Sequence, residues 1–186
     1  GLGGDGNGIG AHSPTFATLP RDFTANKYAF VSTDNSVASD ADLALTLRRG
    51  LAPAGMPDFA ALDHEQIASL VSVVRGFAKA QTEPPGATLT VPPPPASANV
   101  QEGRDLFVQA CAPCHGEFGR GDGPQVATMR GFGDRPVRPR DLARPDAYKV
   151  GTDPQQIYLR IAAGTPPVMP AFHATLKPEQ IWAVVR

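Results

Sequence analysis

Cys111-Ala112-Pro113-Cys114-His115 is the stretch whose reading decides the fold. Two cysteines three positions apart lie one helical turn apart on one face, and a histidine follows the second directly. Cys-x-x-Cys-His is the attachment signature of a c-type haem: the thiols add across the two porphyrin vinyl groups, and the histidine sits under the iron as proximal ligand. These are the only two cysteines in the chain. A zinc site needs two further nitrogen or sulfur ligands at compatible spacing, and no second Cys or Cys/His pair supplies them. A thioredoxin-type redox pair belongs to a βαβ pattern with β-branched strands, which is missing here. A disulfide across two residues leaves the histidine unexplained.

The sixth iron position has few candidates. Methionine sulfur raises the reduction potential relative to a second nitrogen, and the methionines are Met56, Met129 and Met169. Met169 lies in Gly164-Thr165-Pro166-Pro167-Val168-Met169-Pro170-Ala171-Phe172. Its prolines are too stiff for a helix interior and too poor in amide donors for a central strand, so the stretch reads as a rigid loop presenting one side chain. Met169 is the expected distal ligand, and Met129 reads as ordinary packing.

The chain is close to a tandem repeat. Gly4-Asp5-Gly6 returns as Gly121-Asp122-Gly123, Pro20-Arg21-Asp22 as Pro139-Arg140-Asp141, Met56-Pro57-Asp58-Phe59 as Met169-Pro170-Ala171-Phe172, and Glu65-Gln66-Ile67 as Glu179-Gln180-Ile181. The order is kept while the offset drifts between 113 and 119. Between the copies, Pro84-Pro85 and Pro92-Pro93-Pro94-Pro95 favour an extended semi-rigid spacer that does not enter a core. The expected organisation is a first domain over 1–80, a Pro-rich linker over 81–98 and a second domain over 99–186. Shifting the haem motif back by 117 puts its first-copy counterpart just before residue 1, and the last helix stops short of its counterpart. The expectation is a fragment of a longer polypeptide, with an upstream motif holding a second haem and Met56 as its distal ligand.

Local patterns point to small helical domains. Asn99 and Glu102 suit a capping box for a helix running through Leu106 and Phe107 into the haem motif. Asp42 to Arg49 and Gln155 to Ala163 each carry an apolar face. Ile67, Leu70, Val71 and Val74 have amphipathic helical spacing, with Asp63 and Gln66 placed as a cap. Tyr28 to Ser32 is the one weak strand candidate. Both halves resemble the class I c-type cytochrome domain, and the whole chain resembles a di-haem or multi-haem electron-transfer cytochrome c. The resemblance rests on Cys111, Cys114 and His115, the Gly121-Asp122-Gly123 loop, Pro139-Arg140-Asp141, the Met169-Pro170 loop and the helix from Pro178. It implies an all-α fold wrapped around haem c, with His115 below the iron and Met169 above. It also implies a location in the periplasm or on the outer face of a bacterial inner membrane, and redox proteins as donors and acceptors, often subunits of one electron-transfer complex.

The net charge of −1 hides a split. Residues 1–80 hold six Lys/Arg and eight Asp/Glu, and residues 99–186 hold eleven and nine. Arg130, Arg135, Arg138, Arg140 and Arg144 fall within fifteen residues. Such a run often serves only as a solvated loop; the functional reading is that Arg138 or Arg140 pairs with a haem propionate. Nucleic-acid binding lacks a net basic domain with interleaved aromatics. Domains of this size are small for an aliphatic core, and at 7% aromatic residues a buried porphyrin supplies the missing apolar body. The expected role is electron carriage without bond chemistry. A di-haem peroxidase or a haem-based sensor is the alternative, each needing an iron without tight methionine ligation, with His12, His64 and His173 unassigned.

Overall fold

A computed structural model describes residues 2–12, 19–97 and 99–186. Among these the regular structure is helical, and strand-like pairing is limited to isolated bridges such as Thr33 with Thr88 and Thr165 with Met169. The chain is an all-α protein of two regions. Helices α1 (Asp40–Arg49) and α2 (His64–Gly76) lie in the first; α3 (Val100–Leu106), α4 (Ala112–His115), α5 (Pro154–Ala163) and α6 (Pro178–Val185) lie in the second. Tyr28 to Ser32, the weak strand candidate, forms no strand.

Local sequence explains most helix ends. Asp63 accepts from Gln66 N at 2.9 Å and Gln66 Oε1 accepts from Asp63 N at 3.0 Å, a complete capping box on α2. Helix α1 starts two residues earlier than expected because Ser39 and Asp42 form the same reciprocal box. At α3 only half of the expected box forms: Asn99 Oδ1 accepts from Glu102 N at 3.1 Å, while the Glu102 carboxylate accepts instead from Gln180 Nε2 of α6 at 3.2 Å. That tertiary bond belongs to the α3–α6 crossing, where Gly103 lies so close to the Ala183 carbonyl that a Cβ has no room.

Several of the repeated segments share backbone features. Gly4 and Gly6 have φ of 68° and 76°, and Gly119 and Gly121 have 69° and 72°, a left-handed conformation that glycine adopts without a Cβ penalty. Phe23 N donates to Gly4 O at 2.7 Å and Leu142 N to Gly119 O at 2.6 Å. The glycine loops therefore correspond at an offset of 115, pairing Gly6 with Gly121, two residues away from the register expected from Gly-Asp-Gly alone. The loops after α1 and α5 also match. Leu51 N donates to Met56 O and Thr165 N to Met169 O, both at 2.9 Å. Gly50 and Gly164 close their helices where the returning Pro57 and Pro170 backbones leave no space for a side chain.

The two regions pack together. One core joins Val31, Ala38, Leu43 and Val71 of the first to Ala163 of the second; the other gathers Tyr158, Ile161, Ala162, Ile181 and Trp182. Arg160 reaches across to donate to the Val31 carbonyl, leaving its Nε and Nη1 buried without a partner. Burial lowers its pKa to about 10, with Asp42 opposing the shift. The Pro-rich segment does not stand off as a spacer. Leu89 packs against both cores and Val91 against the second, and the segment is tied down by Leu89 N to Ser32 O at 2.8 Å and Trp182 Nε1 to Pro92 O at 3.1 Å. Prolines supply no amide donors, but the residues between them do, and their apolar side chains fill gaps between the halves.

Candidate functional site

The site is built around α4. The chain enters it through a π-helical turn, Phe107–Cys111, in which Ala112 N–H donates to Phe107 O; such turns are rare and recur at functional sites. Pro113 fits the first turn of α4, where its missing N–H removes no bond. Cys111 and Cys114 are free thiols, half-buried on successive turns. Burial, with the neighbouring Cys114 adding to it, pushes the Cys111 thiol up from its ordinary pKa. Cys114 Sγ donates to Gln125 Oε1 at 3.2 Å.

The glycine loop folds back over α4. Gly121 N donates to His115 O at 2.7 Å and Gly123 N to Cys114 O at 3.1 Å. This brings residues 139–142 alongside the motif. His115 Nδ1–H donates to the Arg140 carbonyl at 3.2 Å. A carbonyl only accepts, so this bond sets the tautomer and leaves Nε2 unprotonated and available to a metal, the arrangement usual for a ligating histidine. Burial lowers the pKa of His115, with the Arg140 carbonyl bond pulling the other way.

Met169 lies in the bridged loop after α5, with its side chain half-buried against the Tyr158–Trp182 core. Arg138 is exposed, lining a groove with Val126, Arg130 and Val137. Arg140 is half-buried, and desolvation lowers its pKa. The other arginines of the run have local roles: Arg130 donates to the Ala127 and Met129 carbonyls, and Arg144 pairs with Asp146 at 2.6 Å. His173 Nδ1 donates to Ala162 O at 3.1 Å, a loop-closing bond, and His64 is an exposed residue at the start of α2. Two residues escaped the sequence reading, Arg21 and Lys149. They lie 119 residues before Arg140 and nine after it, and only tertiary folding brings them near.

One expectation is overturned. The chain has two cysteines and both lie in Cys111–His115, so residues 1–80 contain no thiol to form a thioether. A second haem c attached in the first region of this chain is not possible. Met56, assigned as that haem's distal ligand, loses its iron; it is a half-buried residue whose backbone bridges Leu51.

The residues present fit one haem c. The thiols are unpaired with each other and one turn apart, the histidine presents Nε2, and half-buried cations beside the motif lack carboxylate partners among the described residues. In the same residues no group of three or more His, Cys, Asp or Glu gathers into a metal cluster, and no helix is long and apolar enough to cross a membrane.

Two comparisons with known proteins return a likeness. Residues 98–186 match the family described as cytochrome C oxidase, cbb3-type, subunit III. Among solved structures the fold is similar to a chain of the Kuenenia stuttgartiensis reducing HAO-like protein complex. The TM-score is 0.86 at 29% identity, over 98% of this chain and 85% of that chain. A search of curated proteins finds no match. The chain is thus cytochrome-like, with the likeness to the oxidase subunit carried by its second region.

Proposed function

We propose that this chain is a one-electron carrier holding a single haem c in its second region. The first region, 1–80, is then a haem-free copy of the same domain and 81–98 the strap between them. The observation that carries the reading is the Cys111–His115 motif, running from the π-helical turn into α4, with the His115 Nδ1–H bond to the Arg140 carbonyl, which leaves Nε2 free for an iron. When bound, the haem supplies a ferric/ferrous couple whose potential the protein tunes.

The chain's own residues then have distinct roles. Cys111 and Cys114 fix the porphyrin to α4, and His115 presents Nε2 in one orientation. Met169, held by the Thr165 bridge and Gly164, would offer a thioether from the loop after α5; sulfur ligation raises the potential relative to a second imidazole. Arg140 balances propionate charge. In this reading the chain passes electrons between redox partners and makes no bonds of its own.

The likeness to a subunit of a terminal oxidase and to a chain of a multi-subunit redox complex supports a place in a larger electron-transfer assembly, with redox proteins as partners, in the periplasm or on the outer face of the inner membrane. A pyridine haemochrome assay set against intact mass tests the reading. One covalent haem per chain is expected, and a chain expressed with haem-attachment machinery that carries none overturns it.

A further inference from the structure

Beside the haem motif lies a group of positive charges that form no ion pair among the described residues. The Arg140 backbone is fixed there by its carbonyl, 3.2 Å from His115 Nδ1, and its half-buried guanidinium acts on Lys149. Lys149 is brought alongside by Tyr148, whose hydroxyl donates to Leu142 O at 3.1 Å and so ties the 148–149 segment to the 140–142 turn. The third cation comes from the other half: Arg21 crosses the interface and lays its guanidinium over the Phe132 ring, 4.5 Å from the centroid. Phe132 belongs to the second region, so this contact ties Arg21 to it.

All three side chains are half-buried. Desolvation lowers the pKa of each, and Lys149 is lowered further by the charges of Arg140 and Arg21. The ion pairs among the described residues, Arg75–Asp40 and Arg144–Asp146, use none of them, and residues 1, 13–18 and 98 include no Asp or Glu. Three mutually repelling, partly desolvated cations are costly unless an anion sits among them.

We infer that Arg21 of the first region joins Arg140 and Lys149 to receive the propionate carboxylates of the haem held by Cys111, Cys114 and His115, so that the haem-free half helps set the potential of the haem-bearing half. The inference rests on the haem c reading above. Two propionates match the cluster in charge, a guanidinium binds a carboxylate bidentately, and an ammonium serves as a point charge. The duplication explains how Arg21 came to be there. Gly6 packs on the Pro20 carbonyl as Gly121 packs on that of Pro139, so Arg21 is the counterpart of Arg140. In a half without thiols, that arginine serves the neighbouring haem.

The test is a redox titration of the holoprotein and of Arg21→Gln, Arg21→Lys and Lys149→Gln, with haem content measured in each. Removing positive charge near the iron favours the ferric form. Arg21→Gln and Lys149→Gln are therefore expected to lower the midpoint by a several-fold change in the ferric/ferrous ratio, a tenfold change being about 59 mV for one electron. Arg21→Lys keeps the charge and is expected to keep most of the midpoint. An Arg21→Gln midpoint equal to wild type, at equal haem content, overturns the inference. So does a wild-type midpoint that shifts on adding inorganic phosphate and loses that response in Arg21→Gln, because the cluster then serves an external anion. If Arg21→Gln yields no holoprotein, Lys149→Gln decides alone, an unchanged midpoint being fatal. A wild-type chain without haem instead defeats the proposed function.

Discussion

Arg138 and Arg140 are two residues apart in a basic run, and their burial separates them. Arg138 is exposed beside a shallow groove, whereas Arg140 is half-buried with its carbonyl on His115. The effect of a charge on the iron grows as water is excluded between them. Arg140→Gln is therefore expected to lower the haem midpoint clearly and Arg138→Gln to leave it nearly unchanged; equal shifts in a redox titration would refute the distinction. Met169 supports a second expectation. Replacing a thioether ligand by imidazole lowers the potential while keeping six ligands, so Met169→His is expected to retain haem with a lower midpoint and a low-spin absorption spectrum. A variant unchanged in both midpoint and spectrum would show that Met169 is packing.

The helices show which parts of the fold were legible in the sequence. Asp63 and Gln66 form their box because both partners lie within one turn, so the pattern alone carries it. Asp63→Ala is expected to cost about 1 kcal/mol, read as a lower urea midpoint with unchanged slope. The cysteine motif and the Met169 loop were equally local, as a short spacing and a run of prolines. Glu102 was misread because Gln180, 78 residues away, competes for its carboxylate. The π-helical turn before Cys111 has no composition signal, and the register of the glycine loops follows backbone φ rather than the repeated letters. Gly103 likewise looks like a weak point in a helix, yet it is where α3 meets the Ala183 carbonyl. Gly103→Ala, despite a better helix propensity, is expected to destabilise by ~1–3 kcal/mol through overpacking; a gain in stability on urea unfolding would show that the crossing can open.

At the scale of the molecule the two halves share enough structure to unfold as one. Ala163 of the second half sits in the first half's core, Arg160 bonds the Val31 carbonyl, and in the Pro-rich strap Leu89 N donates to Ser32 O while Pro92 O accepts from Trp182 Nε1. Each half alone is small for a self-sufficient core, and in the proposed reading a haem would add the apolar body that the second one lacks. Loss of the thioethers in a Cys111→Ala/Cys114→Ala chain is therefore expected to leave helical far-ultraviolet dichroism but abolish the near-ultraviolet signal, as in a molten state. Cooperative near-ultraviolet unfolding in that variant would show that the protein packs without haem. In the holoprotein, Trp182 gives a clean probe because it is the chain's one tryptophan, buried, 4.9 Å from the Tyr158 ring and bonded to the strap. Its fluorescence reports the second half, whereas far-ultraviolet dichroism averages over helices of both. If the shared core and strap couple the halves, the two signals fall at the same urea concentration, as two-state unfolding requires. If dichroism is lost in two steps, with Trp182 following only one, the halves are independent units held together by their chain, and Arg21 then lacks the rigid footing it needs to act on the neighbouring haem.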